Sequence, residues 1–266
     1  MMSNTLLTAT VILLIFANAA RCQDTDSGSA PGTGELRLTF TFTEVAGADA
    51  ARAMESIISP DEPITWEVYV PDGYQAENPA GLMIYISPSM SGQIPRRWKS
   101  VMDKYNIIWI AANRSGNRVA VARRATFALV APTLAAIHYN IDRERIYLSG
   151  FSGGGKMTGM LAADYPHVFK GAIYICGINS LDKHPSKQFD LFKQNHYVFV
   201  TGTWDHALDQ TKRVHRQYLS SGVDNSKLMV IRNMTHANPS GSKFGEAIQY
   251  LDSRITPDDT FNQHDR

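Results

Sequence analysis

The stretch at residues 145–157 reads RIYLSGFSGGGKM and decides how the chain folds around it. Its first residues are apolar and favour a strand, and the residues after its glycines are compatible with a helix. Between them lies Gly150-x-Ser152-x-Gly154, the pattern of a sharp turn from a strand into a helix. Small flanking residues permit such a turn, which lifts a serine hydroxyl above the carboxyl end of a sheet. We therefore predict that Ser152 is a nucleophile and that the Gly153 N–H faces an oxyanion.

The same glycines also fit part of a phosphate-binding loop, because residues 150–156 match GxxxxGK. In that motif a Ser or Thr follows the lysine and holds magnesium, whereas this chain has Met157 there. Suitable partners for a serine nucleophile occur further along the chain, and they favour the catalytic interpretation of Ser152.

Strand-like and helix-like segments alternate along most of the chain. Strands are predicted over 35–43, 64–70, 82–87, 107–111, 145–149, 171–176, 197–201 and 228–231, and helices over 95–105, 122–139, 154–165, 185–195, 208–220 and 243–253. The first two strands form an antiparallel pair, and the later alternation implies βαβ units with right-handed crossovers. We predict an α/β fold with an eight-stranded, mostly parallel sheet and helices on both faces. Nucleotide-binding folds share this pattern, so the pattern alone leaves the function open.

A serine nucleophile needs a base, and the base needs an acid that orients it. In folds of this kind the acid follows a later strand and the histidine comes last. Asp205 lies just past the strand at 197–201, and His236 lies in the loop after the strand at 228–231. We predict a triad of Ser152, Asp205 and His236, with a helix N-cap as the alternative role of Asp205. The competing acids are Asp182, Asp190 and Asp209, and the competing histidines are His206, His215 and His264.

A second oxyanion donor is expected in the loop after the third strand, which reads SPSMSG at 87–92. Pro88 has no N–H, so the predicted donor is the N–H of Ser89. Two tryptophans lie near these segments in the sequence, Trp98 after the loop and Trp204 before the acid. They are predicted aromatic walls for a substrate, with core packing as the alternative for both.

Composition limits the functions open to the chain. It has 266 residues and a formal net charge of +1, and its basic residues are scattered, which argues against a nucleic-acid partner. Its two cysteines, Cys22 and Cys176, lack the paired histidine spacing of a structural zinc site. Cys176 lies in the apolar run GAIYICG and is predicted to be a buried small side chain. Catalysis by a serine triad needs no metal or organic cofactor, so none is predicted.

The N-terminus departs from the average composition. Residues 6–20 are nearly all apolar, but as a helix they would rise only about 22 Å against a hydrocarbon core of about 30 Å. We predict a signal peptide at 1–22, a flexible linker at 23–34, a catalytic domain at 35–255 and a polar tail at 256–266. The mature protein is then expected to be secreted or periplasmic, without stable membrane insertion. An uncleaved membrane anchor is the alternative.

The run at 141–177 resembles the elbow region of secreted esterases of the polyhydroxybutyrate depolymerase and feruloyl esterase type. Segments 69–74, 201–208 and 235–239 are similar to the entry strand, the acid motif and the histidine motif of that family. The resemblance implies the α/β-hydrolase fold and hydrolysis of carboxylic esters, commonly aryl, acetyl or polyester esters, including polymeric or plant-wall-derived ones. Members usually carry His-Gly where this chain has Ser87-Pro88, so the oxyanion loop departs from the family pattern.

Two other functions remain open. A serine peptidase of the prolyl-oligopeptidase type shares the fold and the triad but normally carries an extra propeller domain. A catalytically inactive relative used for binding is supported by the replaced His-Gly motif and opposed by the intact triad. The stretch from Cys176 to Tyr197 is short, which leaves no room for a large cap domain and favours an open site.

Overall fold

The computed structural model describes residues 32–181 and 187–253. The predicted signal peptide at 1–22, the predicted tail at 256–266 and most of the predicted linker lie outside the described residues. The first strand of the described residues begins at Gly34.

Eight strands form one sheet. They are β1 Gly34–Thr41, β2 Pro63–Val70, β3 Ala80–Ile86, β4 Ile107–Ala112, β5 Ile141–Phe151, β6 Gly171–Ile175, β7 His196–Gly202 and β8 Ser226–Ile231. Their order across the sheet is β1-β2-β4-β3-β5-β6-β7-β8. Strand β2 pairs antiparallel with both β1 and β4, and every pairing from β4 to β8 is parallel. The predicted eight-stranded, mostly parallel sheet is confirmed.

Helices cover both faces of this sheet, as predicted. The α-helices of the described residues are α1 Phe42–Ala46, α2 Ala48–Ala53, α3 Lys99–Tyr105, α4 Val121–His138, α5 Gly153–Asp164, α6 Lys187–Gln194, α7 Leu208–Ser220 and α8 Gly241–Asp252, and a 3-10 turn at Arg96–Trp98 precedes α3. The buried side chains of α3 and α8 pack on one face of the sheet. Those of α1, α2, α4, α5, α6 and α7 pack on the other.

The central strands are apolar along their whole length because both of their faces are covered. Every residue of β3 (AGLMIYI) and of β4 (IIWIAA) is buried. Alternate side chains point to opposite faces, so Ile84 joins one core cluster while Met83 and Tyr85 join the other. These strands therefore lack the alternation of apolar and polar residues that is typical of a strand with one solvent-exposed face.

Strand β1 ends earlier than the predicted range 35–43 because a helix begins at Phe42. The Thr41 hydroxyl oxygen accepts the Glu44 N–H at 3.2 Å, and the Glu44 carboxylate accepts the Thr41 N–H at 2.6 Å. This reciprocal capping box satisfies N–H groups that a helix leaves free at its start. Local capping therefore overrides the strand propensity of the threonines and phenylalanines in this segment.

The loops that could build a site meet above the carboxyl ends of the parallel strands. They follow β3 at 87–95, β4 at 113–120, β7 at 203–207 and β8 at 232–240, and they surround the turn from β5 into α5. Ligands of open parallel sheets bind at this edge. Between β6 and β7 the described residues contain a single helix, α6, so no large cap lies over the edge in this part of the chain. Among the described helices, none is both long and apolar enough to cross a bilayer.

Candidate active site

The turn from β5 into α5 holds Ser152 in a rare backbone conformation, with φ 55° and ψ −117°. The Ser152 N–H donates to the carbonyl oxygen of Ile175 on the neighbouring strand at 2.8 Å. A Cβ added to Gly154 would overlap the carbonyl oxygen of Ile86, and one added to Gly150 would lie 2.5 Å from the carbonyl group of Gly154. Close backbone approach therefore requires both glycines, and the strained turn presents the Ser152 hydroxyl above the sheet.

One imidazole connects the hydroxyl of Ser152 to the carboxylate of Asp205. His236 Nε2 lies 2.9 Å from Ser152 Oγ, and His236 Nδ1 lies 2.8 Å from Asp205 Oδ1. The structure thus brings together the three residues that the sequence pattern selected. With Nδ1 protonated toward the carboxylate, Nε2 can accept the proton of the serine hydroxyl.

The carboxylate of Asp205 is fully buried, with 0% of its side chain exposed. Besides His236, it accepts the Ala207 N–H at 3.0 Å and the Thr201 hydroxyl at 2.8 Å. The Cys176 thiol lies beside it and donates to the Ala237 carbonyl oxygen at 3.5 Å. Burial acts to raise the pKa of Asp205, but these hydrogen bonds outweigh burial and hold the pKa below its ordinary value. The carboxylate is therefore ionised at neutral pH, where it can stabilise an imidazolium.

Two aromatic rings flank the imidazole of His236. The Phe151 ring lies 5.0 Å from it and the His206 ring 4.1 Å from it, measured between ring centroids. The loop that carries His236 is also tied to the core, because Trp98 Nε1 donates to the carbonyl oxygen of Pro239 at 3.1 Å. These contacts limit the rotation of the imidazole away from its bridging position.

The competing histidine His206 lies beside the triad, with Nδ1 3.8 Å from Asp205 Oδ1, but it is His236 whose Nε2 meets Ser152 Oγ. The other competing acids and histidines lie on helices or outside the described residues. Asp190 and Asp209 are exposed on α6 and α7. His215 is on α7, with Nε2 facing a backbone carbonyl oxygen at 3.4 Å. Asp182 and His264 lie outside the described residues.

The two N–H groups that were predicted to bind an oxyanion, those of Gly153 and Ser89, differ in the structure. Gly153 is the first residue of α5, where backbone N–H groups have no partner within the helix. The N–H of Ser89, the predicted second donor, instead donates to Ser87 Oγ at 3.1 Å, and the two hydroxyl oxygens lie 2.9 Å apart. Ser89 can serve an oxyanion only after its own N–H bond to Ser87 opens.

The loop at 113–120 also borders the oxyanion side, although no sequence motif pointed to it. The Asn117 N–H donates to the carbonyl oxygen of Pro88 at 3.0 Å, and the Asn117 carboxamide lies against Gly153. Arg124, only 4% exposed, donates to carbonyl oxygens of both loops, at 2.8 Å and 3.1 Å. The available signal was the polar, glycine-containing run NRSGN at 113–117, directly after an entirely apolar strand.

The two predicted aromatic walls differ in the structure. The assignment of Trp98 to the substrate site is wrong, because Trp98 is 0% exposed and its ring stacks on Phe244 of α8 at 3.8 Å. From its place in the 3-10 turn, the Trp98 ring instead packs into the core between the sheet and α8. Trp204 is 66% exposed beside the acid, so its contact with a substrate stays a prediction.

Cys176 lies directly behind the acid and is 1% exposed, which agrees with the expected buried side chain. Burial raises the pKa of its thiol, and so does the neighbouring carboxylate of Asp205. The ligand-type atoms of Cys176, Asp205 and His236 all lie within 4.8 Å of one another. Such atoms can bind zinc, but here hydrogen bonds within the triad and to the thiol already engage them. Cys176 is therefore a neutral thiol beside the acid, and it donates to the Ala237 carbonyl oxygen.

The fold and the site together define the class of protein. A mostly parallel eight-stranded sheet covered by helices, with a serine on the strand-to-helix turn, an acid after β7 and a histidine after β8, is the α/β-hydrolase fold. Comparison with family models gives a consistent result, since residues 125–238 match the model described as the prolyl oligopeptidase family.

Curated proteins with similar sequences include three that are named for ester or thioester chemistry. A poly(3-hydroxybutyrate) depolymerase from Ralstonia pickettii is 32% identical over 99 residues, covering 31% of this chain and 19% of that protein. Feruloyl esterase B from Neurospora crassa is 50% identical over 48 residues, covering 18% and 16%. Acyl-protein thioesterase 1 homolog 2 from Dictyostelium discoideum is 31% identical over 104 residues, covering 38% and 47%. The chain thus spans less than half the length of each of these relatives.

Solved structures with this fold include esterases and peptidases. The feruloyl esterase module from Clostridium thermocellum, in complex with sinapinate, superposes with a TM-score of 0.61 at 12% identity, covering 86% of this chain and 91% of that one. S-formylglutathione hydrolase from Staphylococcus aureus gives 0.60 at 11% identity, covering 82% and 99%. Dipeptidyl peptidase 4 from Porphyromonas gingivalis gives 0.54 at 15% identity, covering 72% and 33%. These identities are low, so the likenesses support the fold.

Proposed function

We propose that this protein is a serine esterase that hydrolyses carboxylic esters through an acyl-enzyme on Ser152. One observation carries the proposal: His236 bridges Ser152 Oγ at 2.9 Å and Asp205 Oδ1 at 2.8 Å. The lowered pKa of Asp205 supports it, because an ionised acid at neutral pH orients and stabilises the base. Sequence similarity to a depolymerase, a feruloyl esterase and a thioesterase supports ester rather than amide substrates.

In the proposed mechanism, Ser152 Oγ attacks the carbonyl carbon of the ester while His236 Nε2 takes the hydroxyl proton. The carbonyl π electrons move onto oxygen, and the Gly153 N–H donates to the resulting oxyanion. When the carbon–oxygen bond to the leaving group breaks, His236 gives its proton to the departing alcohol, and the acyl group stays on Ser152. A water molecule then attacks the acyl-enzyme with the same base, and the carboxylic acid is released.

The open rim of the site supports an ester that is presented on a polymer or a surface. Trp204 is 66% exposed and Met90, in the loop after β3, is 54% exposed. The described residues between β6 and β7 contain one short helix and no large cap over the carboxyl edge. We therefore place the substrate among aryl, acetyl or polyester esters, including polymeric and plant-wall-derived ones, in line with the names of the depolymerase and the feruloyl esterase.

A peptidase of the prolyl-oligopeptidase type is the second candidate, and the family match over 125–238 favours it. The two functions share the triad, so they differ in the leaving group that the site accepts. An ester panel against a proline-peptide panel on the purified protein separates them directly.

We also propose that residues 1–22 are removed as a signal peptide and that the mature protein acts outside the cytoplasm, secreted or periplasmic. The apolar run at 6–20 followed by small residues supports this. N-terminal sequencing of the protein recovered from its native host tests it. A mature terminus near residue 23 is expected, and a protein that retains its first residues would contradict the proposal.

The decisive experiment combines active-site labelling with substrate panels. Wild type and Ser152→Ala are incubated with a fluorophosphonate probe, with p-nitrophenyl esters, methyl ferulate and 3-hydroxybutyrate oligomers, and with Ala-Pro-p-nitroanilide. We expect labelling at Ser152, ester turnover that falls by about 10⁶-fold in Ser152→Ala, and no cleavage of the anilide. Cleavage of the anilide would favour the peptidase, whether or not the activated p-nitrophenyl esters are also turned over. Absence of labelling on folded wild type would favour a binding protein.

A further inference from the structure

The proposed mechanism has one clear oxyanion donor, and transition-state stabilisation of this kind usually uses at least two. The Gly153 N–H is available at the start of α5. The Ser89 N–H is engaged by Ser87 Oγ at 3.1 Å, and the Ser89 hydroxyl lies 2.9 Å from the same oxygen. Because the Ser89 N–H already donates within its own turn, a different group on the same side of the site is needed as the second oxyanion donor.

The carboxamide of Asn117 lies against Gly153, the residue that supplies the first oxyanion donor. A Cβ added to Gly153 would overlap Asn117 Oδ1 and would lie 2.7 Å from Asn117 Nδ2. The carboxamide therefore touches the residue that supplies the first donor. Within the described parts of the chain, no hydrogen bond engages this carboxamide, and Asn117 as a whole is exposed at the carboxyl edge of the sheet.

We propose that Asn117 Nδ2 is the second oxyanion donor, acting with the Gly153 N–H on the tetrahedral intermediate. This inference rests on the proposed esterase function. The amide end of an asparagine rotates about a broad terminal torsion, so Nδ2 can be presented to the oxyanion while the backbone stays fixed. A neutral amide donor suits this role because it gains strength as negative charge develops on the substrate oxygen.

The loop that carries Asn117 is braced against the loop after β3. The Asn117 N–H donates to the Pro88 carbonyl oxygen at 3.0 Å, and the Arg114 N–H donates to the Met90 carbonyl oxygen at 2.7 Å. A Cβ on Gly116 would lie 2.9 Å from Ser89 backbone atoms, so the two loops are in direct contact there. A fixed loop backbone leaves only the side-chain torsions of Asn117 to be set when the reaction begins, which favours effective oxyanion stabilisation.

The buried side chain of Arg124 is hydrogen-bonded to both loops. The Arg124 guanidinium donates to the Ser115 carbonyl oxygen at 2.8 Å and to the Ser87 carbonyl oxygen at 3.1 Å. Both acceptors are backbone groups of the loops that border the oxyanion side. Arg124 is thus a positioning residue for the two loops, whereas the role proposed for Asn117 is direct contact with the substrate oxygen.

The test compares Asn117→Ala and Asn117→Asp with the control Arg118→Ala, a neighbouring exposed residue in the same loop. Steady-state kinetics use p-nitrophenyl acetate, and the rate of labelling by a fluorophosphonate probe and the affinity for phenylboronic acid report on the oxyanion site. Loss of one such donor lowers kcat by about 10²- to 10³-fold. We expect this loss in Asn117→Ala with little change in KM, slower labelling, weaker boronic acid binding and an unchanged Tm, and at least as large a loss in Asn117→Asp.

Arg118→Ala is expected to stay within about threefold of wild type, since single exposed charges contribute little. A kcat for Asn117→Ala within threefold of wild type would overturn the role of Asn117, and so would a rise in KM alone, because that would indicate ground-state binding. Wild type that is neither labelled nor active would overturn the proposed function and this role with it. Wild type that labels as fast as Asn117→Ala would overturn the role of Asn117 and leave the esterase standing.

Discussion

The α-carbon of Gly154 packs so closely on the backbone of Ile86 that a Cβ at position 154 would overlap the Ile86 carbonyl oxygen. This contact joins the first turn of α5, which follows Ser152, to the end of β3, where the oxyanion loop begins. The glycine therefore sets the distance between the nucleophile and the loop that faces the developing charge.

We expect Gly154→Ala to destabilise the protein by about 1–3 kcal/mol, the usual cost of overpacking, and to abolish most ester turnover because the nucleophile turn must shift. Gly245→Ala in α8 is the matched control, since its Cβ would lie 3.5 Å from the nearest atom, a Val101 methyl carbon. An alanine inside a helix is favoured over glycine by about 0.5–1 kcal/mol. Urea unfolding and p-nitrophenyl acetate kinetics measure both variants, and equal stability of the two alanine variants would contradict the packing argument.

Asp205→Asn should lower kcat by about 10⁴-fold, because a neutral amide stabilises the wrong tautomer of His236 and cannot offset an imidazolium. Some loss of stability is also expected, since the Ala207 N–H and the Thr201 hydroxyl donate to this buried carboxylate. Asp209→Asn, exposed in the first turn of α7, is the control and should retain near wild-type kcat. A small effect at Asp205, or an equal effect at Asp209, would count against the assigned acid.

Cys176 should react slowly in the folded protein. Burial and the neighbouring Asp205 raise the pKa of its thiol, and the reactive species is the thiolate. We expect DTNB to titrate Cys176 only on unfolding. We expect Cys176→Ala to keep kcat within about tenfold of wild type, because Thr201, Ala207 and His236 still hold the acid. Fast DTNB reaction at neutral pH in native conditions would show that the thiol is exposed or ionised.

Stability should fall as the pH drops below about 6.5, the ordinary pKa of histidine. Burial lowers the folded-state pKa of His138 and of His196, and in the described structure the Nε2 atom of each is buried without a hydrogen-bond partner. The unfolded chain therefore binds protons at a higher pH than the folded chain, and acid favours unfolding. Each such histidine adds at most about 1.4 kcal/mol per pH unit to the slope of the unfolding free energy.

The variant His138→Phe removes one of these protons and retains an aromatic ring beside Phe40, whose centroid lies 5.4 Å from that of His138. Urea unfolding between pH 7.5 and 5.5 should show a shallower pH dependence for this variant than for wild type. Identical slopes would mean that protonation of His138 does not contribute to the pH dependence of stability.

Much of the fold and part of the site could be predicted from local patterns. Apolar runs such as 107–111 and the glycine spacing around Ser152 follow from burial on two faces and from a turn without room for side chains. Asp205 and His236 could be predicted because each follows a strand in the order this fold imposes. Trp98 was misplaced because a large aromatic residue near a loop has the same pattern whether it faces a substrate or Phe244 in the core.

By itself, the sequence determined which elements form and which side chains stand at the carboxyl ends of strands, since burial periodicity and turn chemistry act between neighbours in the chain. The tertiary structure decided which of those side chains meet. The 2.8 Å contact between His236 and Asp205, the engagement of the Ser89 N–H by Ser87 and the position of Asn117 against Gly153 depend on how separate loops pack. Such distances arise from strand order and backbone contact across the sheet, and no local pattern encodes them.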